Sequence, residues 1–360
     1  MHFSKLSIFA AACLLIIAGL LAVGCGDDDN KPTTPTPTIH YAWEPLGTGM
    51  DYEILSLAVY NNTLIAGGWF NTAGGANVHN IAAWDSSSWS PLGLGTNYYP
   101  YALTVYDNKL IAGGTFTTAG GQTANHIAAW DGSSWAPLGT GMPVWDNVVL
   151  ALTVYDNQLI AGGWFNTVGG VSANNIAAWN GSTWAPLGAG MNSGVRAFTV
   201  YDGKLIAGGY FDTAGTVNAR YIAAWDGSSW DTLGSGIIQN VYSLTVHDNM
   251  LIAGVDCVDP GNWVQAWDGS SWAPVGTFTG TGIITALAVY NNQLIAGGRI
   301  IPSGGGWISA WDDSTWTTLG TGVDSTVNAL VVFGNQLIAG GTFNTAGGVA
   351  ARGVAAWTPE

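Results

Sequence analysis

Apolar residues along residues 40–360 gather in short runs bounded by Gly, Asn, Asp and Ser, a pattern that predicts β-strands joined by tight turns. The pattern repeats. A Leu-Ile-Ala-Gly core recurs with its alanine at Ala66, Ala112, Ala161, Ala207, Ala253, Ala296 and Ala339, seven copies spaced 43 to 49 residues apart. A tryptophan closing an Ile-Ala-Ala-Trp-like run marks the same units at Trp84, Trp130, Trp179, Trp225, Trp267, Trp311 and Trp357. Each unit reads as two hairpins in series. Residues 102–106 form the first strand and cross Asp107-Asn108 into a second, residues 110–114; residues 127–130 form the third and cross Asp131-Gly132 into a fourth, residues 135–139. Asn, Asp and Gly at those crossings tolerate the positive φ of short hairpin turns.

A lone four-stranded unit has two apolar faces and cannot bury both, so such units stack around an axis. The expected fold is therefore all-β: a seven-bladed β-propeller of four-stranded antiparallel blades. Its ends imply closure. Trp43-Glu-Pro-Leu-Gly47 reads as a fourth strand without its first three, and Gly353-Val-Ala-Ala-Trp357 as a third strand without its fourth, so the two termini complete one blade and leave no bare edge. A closed propeller needs no second copy, and a monomer is expected.

The run of four apolar residues, a double glycine and two separated aromatics resembles the kelch motif, with Trp130-Asp131 and Trp135-Ala136-Pro137-Leu138 fitting its second half. The spacing of five between the paired tryptophans is shorter than kelch units usually show. Units such as Phe116-Thr-Thr-Ala-Gly-Gly121 followed by a Trp-Asp-Gly-Ser-Ser-Trp turn are also similar to the propeller repeats of the fungal cortical polarity-marker family and its bacterial relatives. Neither resemblance supplies a reaction.

Before the repeats lie Lys5, an apolar run over residues 6–23 and a small residue, Gly24, in front of Cys25, which is secretory-signal architecture. Leu21-Ala22-Val23-Gly24-Cys25 resembles a bacterial lipobox, with Ala22 where Leu is more usual; the resemblance implies a lipid on Cys25. The alternative is a membrane-spanning anchor of about minimal length. Residues 1–24 are thus expected as a lipoprotein signal peptide and residues 25–39, acidic and then rich in Pro and Thr, as a tether. The acidic run after Cys25 resembles the surface-export signal of some Bacteroidota lipoproteins. A solvated linker is the alternative reading of that run, so the expected location is the cell envelope, lipid-anchored to the bacterial outer membrane, with the periplasmic and the surface-facing leaflet both open.

Charged residues make up only 9% of the chain, with eight Lys and Arg against 23 Asp and Glu and a formal net charge of -15. That balance excludes nucleic acid as a natural partner, which would need clustered cations. Cys13, Cys25 and Cys257 leave no disulfide within the mature chain. The tryptophans that recur in every unit read as core, and the glycine pairs as close approach between strands. The aspartates before Gly or Ser turns read as hairpin chemistry, not as a Ca²⁺ loop. Galactose oxidase is a kelch-type propeller, but its copper set of two histidines and two tyrosines has no counterpart at equivalent positions among His40, His79, His126 and His247. No catalytic residue, metal or cofactor is assigned.

Binding residues are sought where positions vary while their surroundings repeat. One such position precedes the first strand and is expected to ring a central channel: Leu55, Tyr101, Leu150, Arg196, Tyr242, Thr285 and Asn328. Another precedes the third strand: Asn80, His126, Asn175, Tyr221, Trp263, Trp307 and Gly353. Two adjacent units replace the Phe-x-Thr-Ala-Gly-Gly segment altogether, with Asp256-Cys-Val-Asp-Pro-Gly-Asn-Trp263 and Arg299-Ile-Ile-Pro-Ser-Gly-Gly-Gly-Trp307. Trp263 and Trp307 are on that basis the expected exposed aromatics, joined by Tyr98, Tyr99 and Trp145 in the loops between blades. Tyr101, Arg196, Tyr242 and Asn328 complete the candidate set. The expected function is a module that binds a protein or a polysaccharide through its long-loop face; a glycan-active enzyme on that face, hydrolase or galactose-oxidase-like, and a structural surface or adhesion component are the alternatives.

Overall fold

The structure is a computed structural model that describes residues 41–142, 147–257, 261–278, 280–301, 303 and 305–359. The signal and tether readings, Cys25 and Trp145 lie outside the described residues. Residues His40–Glu360 form one compact unit.

Within it the chain is a β-propeller of four-stranded antiparallel blades. The first complete blade shows the order: Glu53–Tyr60, Thr63–Trp69, Ile81–Trp84 and Trp89–Pro91 lie side by side from the innermost strand outward. The sheets starting at Pro100–Tyr106, Val148–Tyr155 and Val195–Tyr201 repeat it. The next two, starting at Val241–His247 and Thr281–Tyr290, are joined into one sheet because Asp256 and Cys257 pair with Ile283 and Gly282. The last sheet combines Val327–Phe333, Gln336–Gly341 and Val354–Pro359 with the N-terminal strand Tyr41–Pro45, whose Trp43 pairs with Trp357. Innermost strands touch in chain order, and Val327–Phe333 also touches Glu53–Tyr60.

Burial explains the repeat. Second strands are apolar without alternation because both of their faces are covered: Leu64, Ile65 and Ala66 are all buried. Leu64 and Ala66 pack in one cluster, while Ile65 points the other way and joins Leu110 and Ala112 of the following blade. The same exchange puts Ile111 with Leu159 and Ala161, and Ile338 with Leu64 and Ala66. The core is therefore a series of slabs between sheets, each Leu or Ile contributing about 1.5–3 kcal/mol.

Two further repeats serve the slabs. The indole Nε1 of each fourth-strand tryptophan donates to a carbonyl of the neighbouring blade: Trp89 to Leu46 O at 2.9 Å, Trp135 to Leu92 O at 2.9 Å, and Trp43 to Leu319 O at 2.9 Å across nearly the whole chain. The first glycine of each pair lies against the next blade's first strand, as Gly113 does on Val149 and Gly340 on Ile54. These contacts bear out the structural reading of the tryptophans and glycines.

The Phe-x-Thr-Ala-Gly-Gly segments are more ordered than loops. Each folds into a small hairpin, such as Thr118–Ala119 with Gln122–Thr123, with its phenylalanine buried (Phe70, Phe116, Phe165, Phe211, Phe343). Isolated bridges tie these hairpins to the connections between blades, for example Thr96 to Ala119. The aspartates at hairpin turns accept from the serines that follow: Asp131 Oδ1 takes the Ser133 and Ser134 N–H groups at 2.8 Å each.

Candidate functional site

In every blade the innermost strand carries a β-bulge near its start. The register skips one residue between Ile54 and Ser56, Pro100 and Ala102, Val149 and Ala151, Val195 and Ala197, Val241 and Ser243, Ile284 and Ala286, and Val327 and Ala329. The skipped residues are Leu55, Tyr101, Leu150, Arg196, Tyr242, Thr285 and Asn328. They are the same residues at which the repeat varies. A bulge re-aims a side chain without disturbing the ladder on either side, so this position is free to change while the strand around it stays constant. Tyr101, Leu150, Arg196, Tyr242, Thr285 and Asn328 line one cavity of about 550 Å³, within the range of small-ligand sites.

Three of these ring residues also hold neighbouring blades. Asn328 Nδ2 donates to Ile54 O at 2.8 Å, Arg196 Nη1 to Leu150 O at 3.3 Å, and the Thr285 hydroxyl to Val327 O. Asn328 and Thr285 are thereby partly committed to structure. Arg196 keeps the rest of its fork for the cavity.

A second tier sits above the ring. The residue following the glycine pair is Trp69, Thr115, Trp164, Tyr210, Arg299 or Thr342 in the six units that keep the pair, and all but Trp69 line the cavity. Trp164 is 42% exposed and Trp69 is 41% exposed. Neither is loose. Trp164 lies against the backbone of Gly194, where an added Cβ would come within 2.5 Å of the indole, and it stacks on Tyr210 with centroids 5.6 Å apart at 21°. Tyr210 in turn meets Tyr242 edge-on at 5.7 Å. On the other side Trp69 stacks on Tyr99 at 5.2 Å and leans on Tyr52 at 4.3 Å, with Tyr98 beside Tyr99 at 6.0 Å. The outcome is two held aromatic arcs, each with indole surface open to solvent.

Charge in the cavity runs against the rest of the chain. Its lining includes Arg196, Arg299 and, as its one carboxylate, Glu53. Burial holds the Glu53 carboxyl above its usual range. Burial likewise pushes the Tyr101 and Tyr242 phenols up, with Arg196 opposing at both. Both phenols are accordingly protonated donors at neutral pH. Two-carboxylate glycoside hydrolysis would need a second acid beside Glu53, and none lines this cavity among the described residues.

Several sequence expectations require correction. Trp263 is not an exposed aromatic: it is 2% exposed and lies face to face with Phe278, centroids 5.0 Å apart at 7°. Trp307 is half-buried in the same stack, edge-on to Phe278 at 5.1 Å and to Trp316 at 5.5 Å. Among the described residues the two divergent units show neither the small hairpin nor its buried phenylalanine, and this aromatic stack fills the core there. The variable position before the third strand is likewise structural in the regular units. Asn80, His126, Asn175 and Tyr221 adopt φ near +65° (69, 67, 63 and 71), and the Asn80 and Asn175 amides donate to Thr96 O and Met191 O. Of the loop aromatics, Tyr99 belongs to the Trp69 arc and Tyr98 is exposed beside it. Trp69, Trp164, Tyr210, Glu53 and Arg299 were missed. Applying the same test of variation amid constancy to the residue after each glycine pair finds all of these but Glu53.

On the opposite, short-turn face, His247 Nε2 lies 3.5 Å from Asp248 Oδ2, and Asp313 brings a carboxylate within 4.8 Å of both. Cys257 is buried beside Trp263.

Residues 107–128, 156–177 and 202–223 match a family described as a domain of unknown function (DUF5122) beta-propeller. Among curated proteins none matches. Among solved structures, the computationally designed Ika8 protein is 20% identical over 88% of this chain and 99% of its own, with a TM-score of 0.54. The WD40 beta propeller domain of Doa1 is 14% identical over 88% and 97%, with a TM-score of 0.56. The extracellular domain of BT4673 from B. thetaiotaomicron, named as a hybrid two component system, is 11% identical over 88% of this chain and 40% of its own, with a TM-score of 0.59. At these identities the likeness concerns the fold.

Proposed function

We propose that the chain is a binding module of the cell envelope: a closed seven-bladed propeller, lipid-anchored through Cys25, that takes a protein or glycan ligand at the cavity on its long-loop face. The observation that carries this reading is the exposed indole of Trp164, braced by Tyr210 in the lining of a cavity that varies from blade to blade, with a second exposed indole, Trp69, paired across the ladder with the cavity residue Glu53 and braced by Tyr99. Large apolar surface held open to water on a rigid scaffold is the mark of a contact site. Closure is supported by the Trp43 to Leu319 and Asn328 to Ile54 hydrogen bonds, which join the two ends of the repeat array. A fold likeness to a WD40 domain is compatible with an interaction role.

The test is a screen of the full chain against glycans and envelope proteins, repeated with Trp69→Ala and Trp164→Ala. Loss of the captured ligand in either variant, with the melting temperature kept, supports the site. Capture undiminished in both variants overturns it, and release of reducing ends from a bound glycan would turn the reading towards an enzyme. For the anchor, mass spectrometry should find acyl chains on Cys25, and Cys25→Ala should free the protein from membranes; an unmodified Cys25 in membrane-held protein refutes lipidation.

A further inference from the structure

Resting on that binding reading, we infer that the ligand is an acidic glycan, whose sugar rings stack on the Trp164 arc while its carboxylate or sulfate groups engage Arg196 and Arg299. Three observations converge. The chain has only eight Lys and Arg, yet two of them line this cavity against a single lining carboxylate, and Asp256, whose charge reaches Tyr242, is held by the Asn240 amide at 2.8 Å. Neither arginine forms an ion pair among the described residues, where the one recorded salt bridge joins His247 and Asp248. Arg196 is half-buried, and one guanidinium N–H is spent on Leu150 O. That bond orients the remaining fork. A guanidinium so held presents parallel N–H groups that suit a carboxylate or a sulfate.

The remaining lining suits sugar more than peptide. Trp164, held by the Gly194 backbone and the Tyr210 ring, keeps indole surface open to solvent, a flat apolar surface that matches the C–H face of a pyranose ring. Thr115, Thr326, Thr342 and Tyr242 also line the cavity, neutral hydroxyls that can both donate and accept, as ring hydroxyls do, with Thr115 already donating to Tyr99 O and Thr342 bonded to the Ser325 hydroxyl. The negative charge of the whole chain would repel a polyanion elsewhere and leave this cavity as its place of contact.

The experiment is titration calorimetry of the full-length chain in detergent micelles. The probes are oligogalacturonates, their carboxyl-reduced neutral counterparts, sulfated oligosaccharides of matched length and an oligoglutamate peptide. Carboxylated or sulfated saccharides should bind at least about tenfold more tightly than neutral ones, and whichever of the two binds more tightly names the anion. Arg196→Gln should remove most of that preference; Arg299→Gln, whose side chain is exposed, should remove less. Trp164→Ala should weaken the acidic saccharides and leave the melting temperature in place. Equal affinity for the neutral chains, or an unchanged preference in Arg196→Gln, overturns the acidic inference and leaves the binding module standing. Oligoglutamate bound as tightly as any saccharide overturns the glycan assignment in the same way. No binding of any probe, together with an empty glycan and protein screen, overturns both.

Discussion

Among the described residues, five of the repeat units carry a small hairpin with a buried phenylalanine between their second and third strands, and the fifth and sixth units show none. Comparison of these regions separates two kinds of sequence variation. In the fifth and sixth units an entire segment is rewritten, yet the result is again a filled core: Trp263, Phe278 and Trp307 pack where Phe116 or Phe211 packs elsewhere. Asp256 and Cys257 then pair with the neighbouring sheet and replace the ties that the hairpins provide. In the regular units the backbone hardly changes, while single positions at the bulge and after the glycine pair range over Tyr, Arg, Leu, Trp and Thr. Conspicuous departure is mainly repacking here, although it also sets Arg299 in the cavity, and quiet departure builds the rest of the lining.

Substitutions can break this contrast. Trp263→Ala and Phe116→Ala should each cost about 3–5 kcal/mol, read as a fall in denaturant midpoint, because both leave a hole in a closed slab. Trp164→Ala, half open to water, should stay within about 1 kcal/mol. A Trp263→Ala protein that melts normally but loses its ligand would reverse the assignment of the two regions.

A smaller effect is expected at the second glycine of the pair. An added Cβ at Gly341 would lie 2.0 Å from Thr326 O, and at Gly114 2.0 Å from Tyr99 O. Either Gly→Ala change should cost about 1–3 kcal/mol through displaced backbone. The fifth unit has Val255 at this position and still forms the equivalent hydrogen bond, Val255 N to Trp263 O at 3.0 Å. Val255→Gly should therefore gain nothing in stability; a clear gain would mean that the divergent unit is strained.

The smallest effect concerns the short turns, which both kinds of unit share. Hydrogen bonds from the Ser87 hydroxyl, the Ser271 N–H and the Ser314 hydroxyl, foremost among others, hold Asp85, Asp268 and Asp312 down to about 2. The folded state thus favours the charged form. Its contribution is present above the ordinary carboxylate value of 3.8 and is lost as the pH falls towards 2. Exposure keeps it small. The third blade already has a neutral version, since Asn180 Oδ1 accepts the Ser182 and Thr183 N–H groups at 2.9 Å. Asp→Asn at Asp85, Asp268 and Asp312 together should flatten the fall in melting temperature between pH 4 and pH 2 while leaving neutral-pH stability nearly unchanged; an undiminished slope would place the acid sensitivity elsewhere.

The sequence by itself determined the strand order of a blade, the chemistry of its turns, the core role of the recurring tryptophans and the ring of bulge residues. All of these depend on residues within one repeat, so a period read along the chain exposes them. Which aromatics meet solvent was decided by the tertiary structure. Trp164 stays partly open because the next unit meets it with the Gly194 backbone and the Tyr210 ring, which hold it without covering it, whereas Trp263 is shut because the loop after its own blade brings Phe278 onto its face. Exposure is a property of the neighbour across the slab, and that neighbour is fixed only when the sheets have packed.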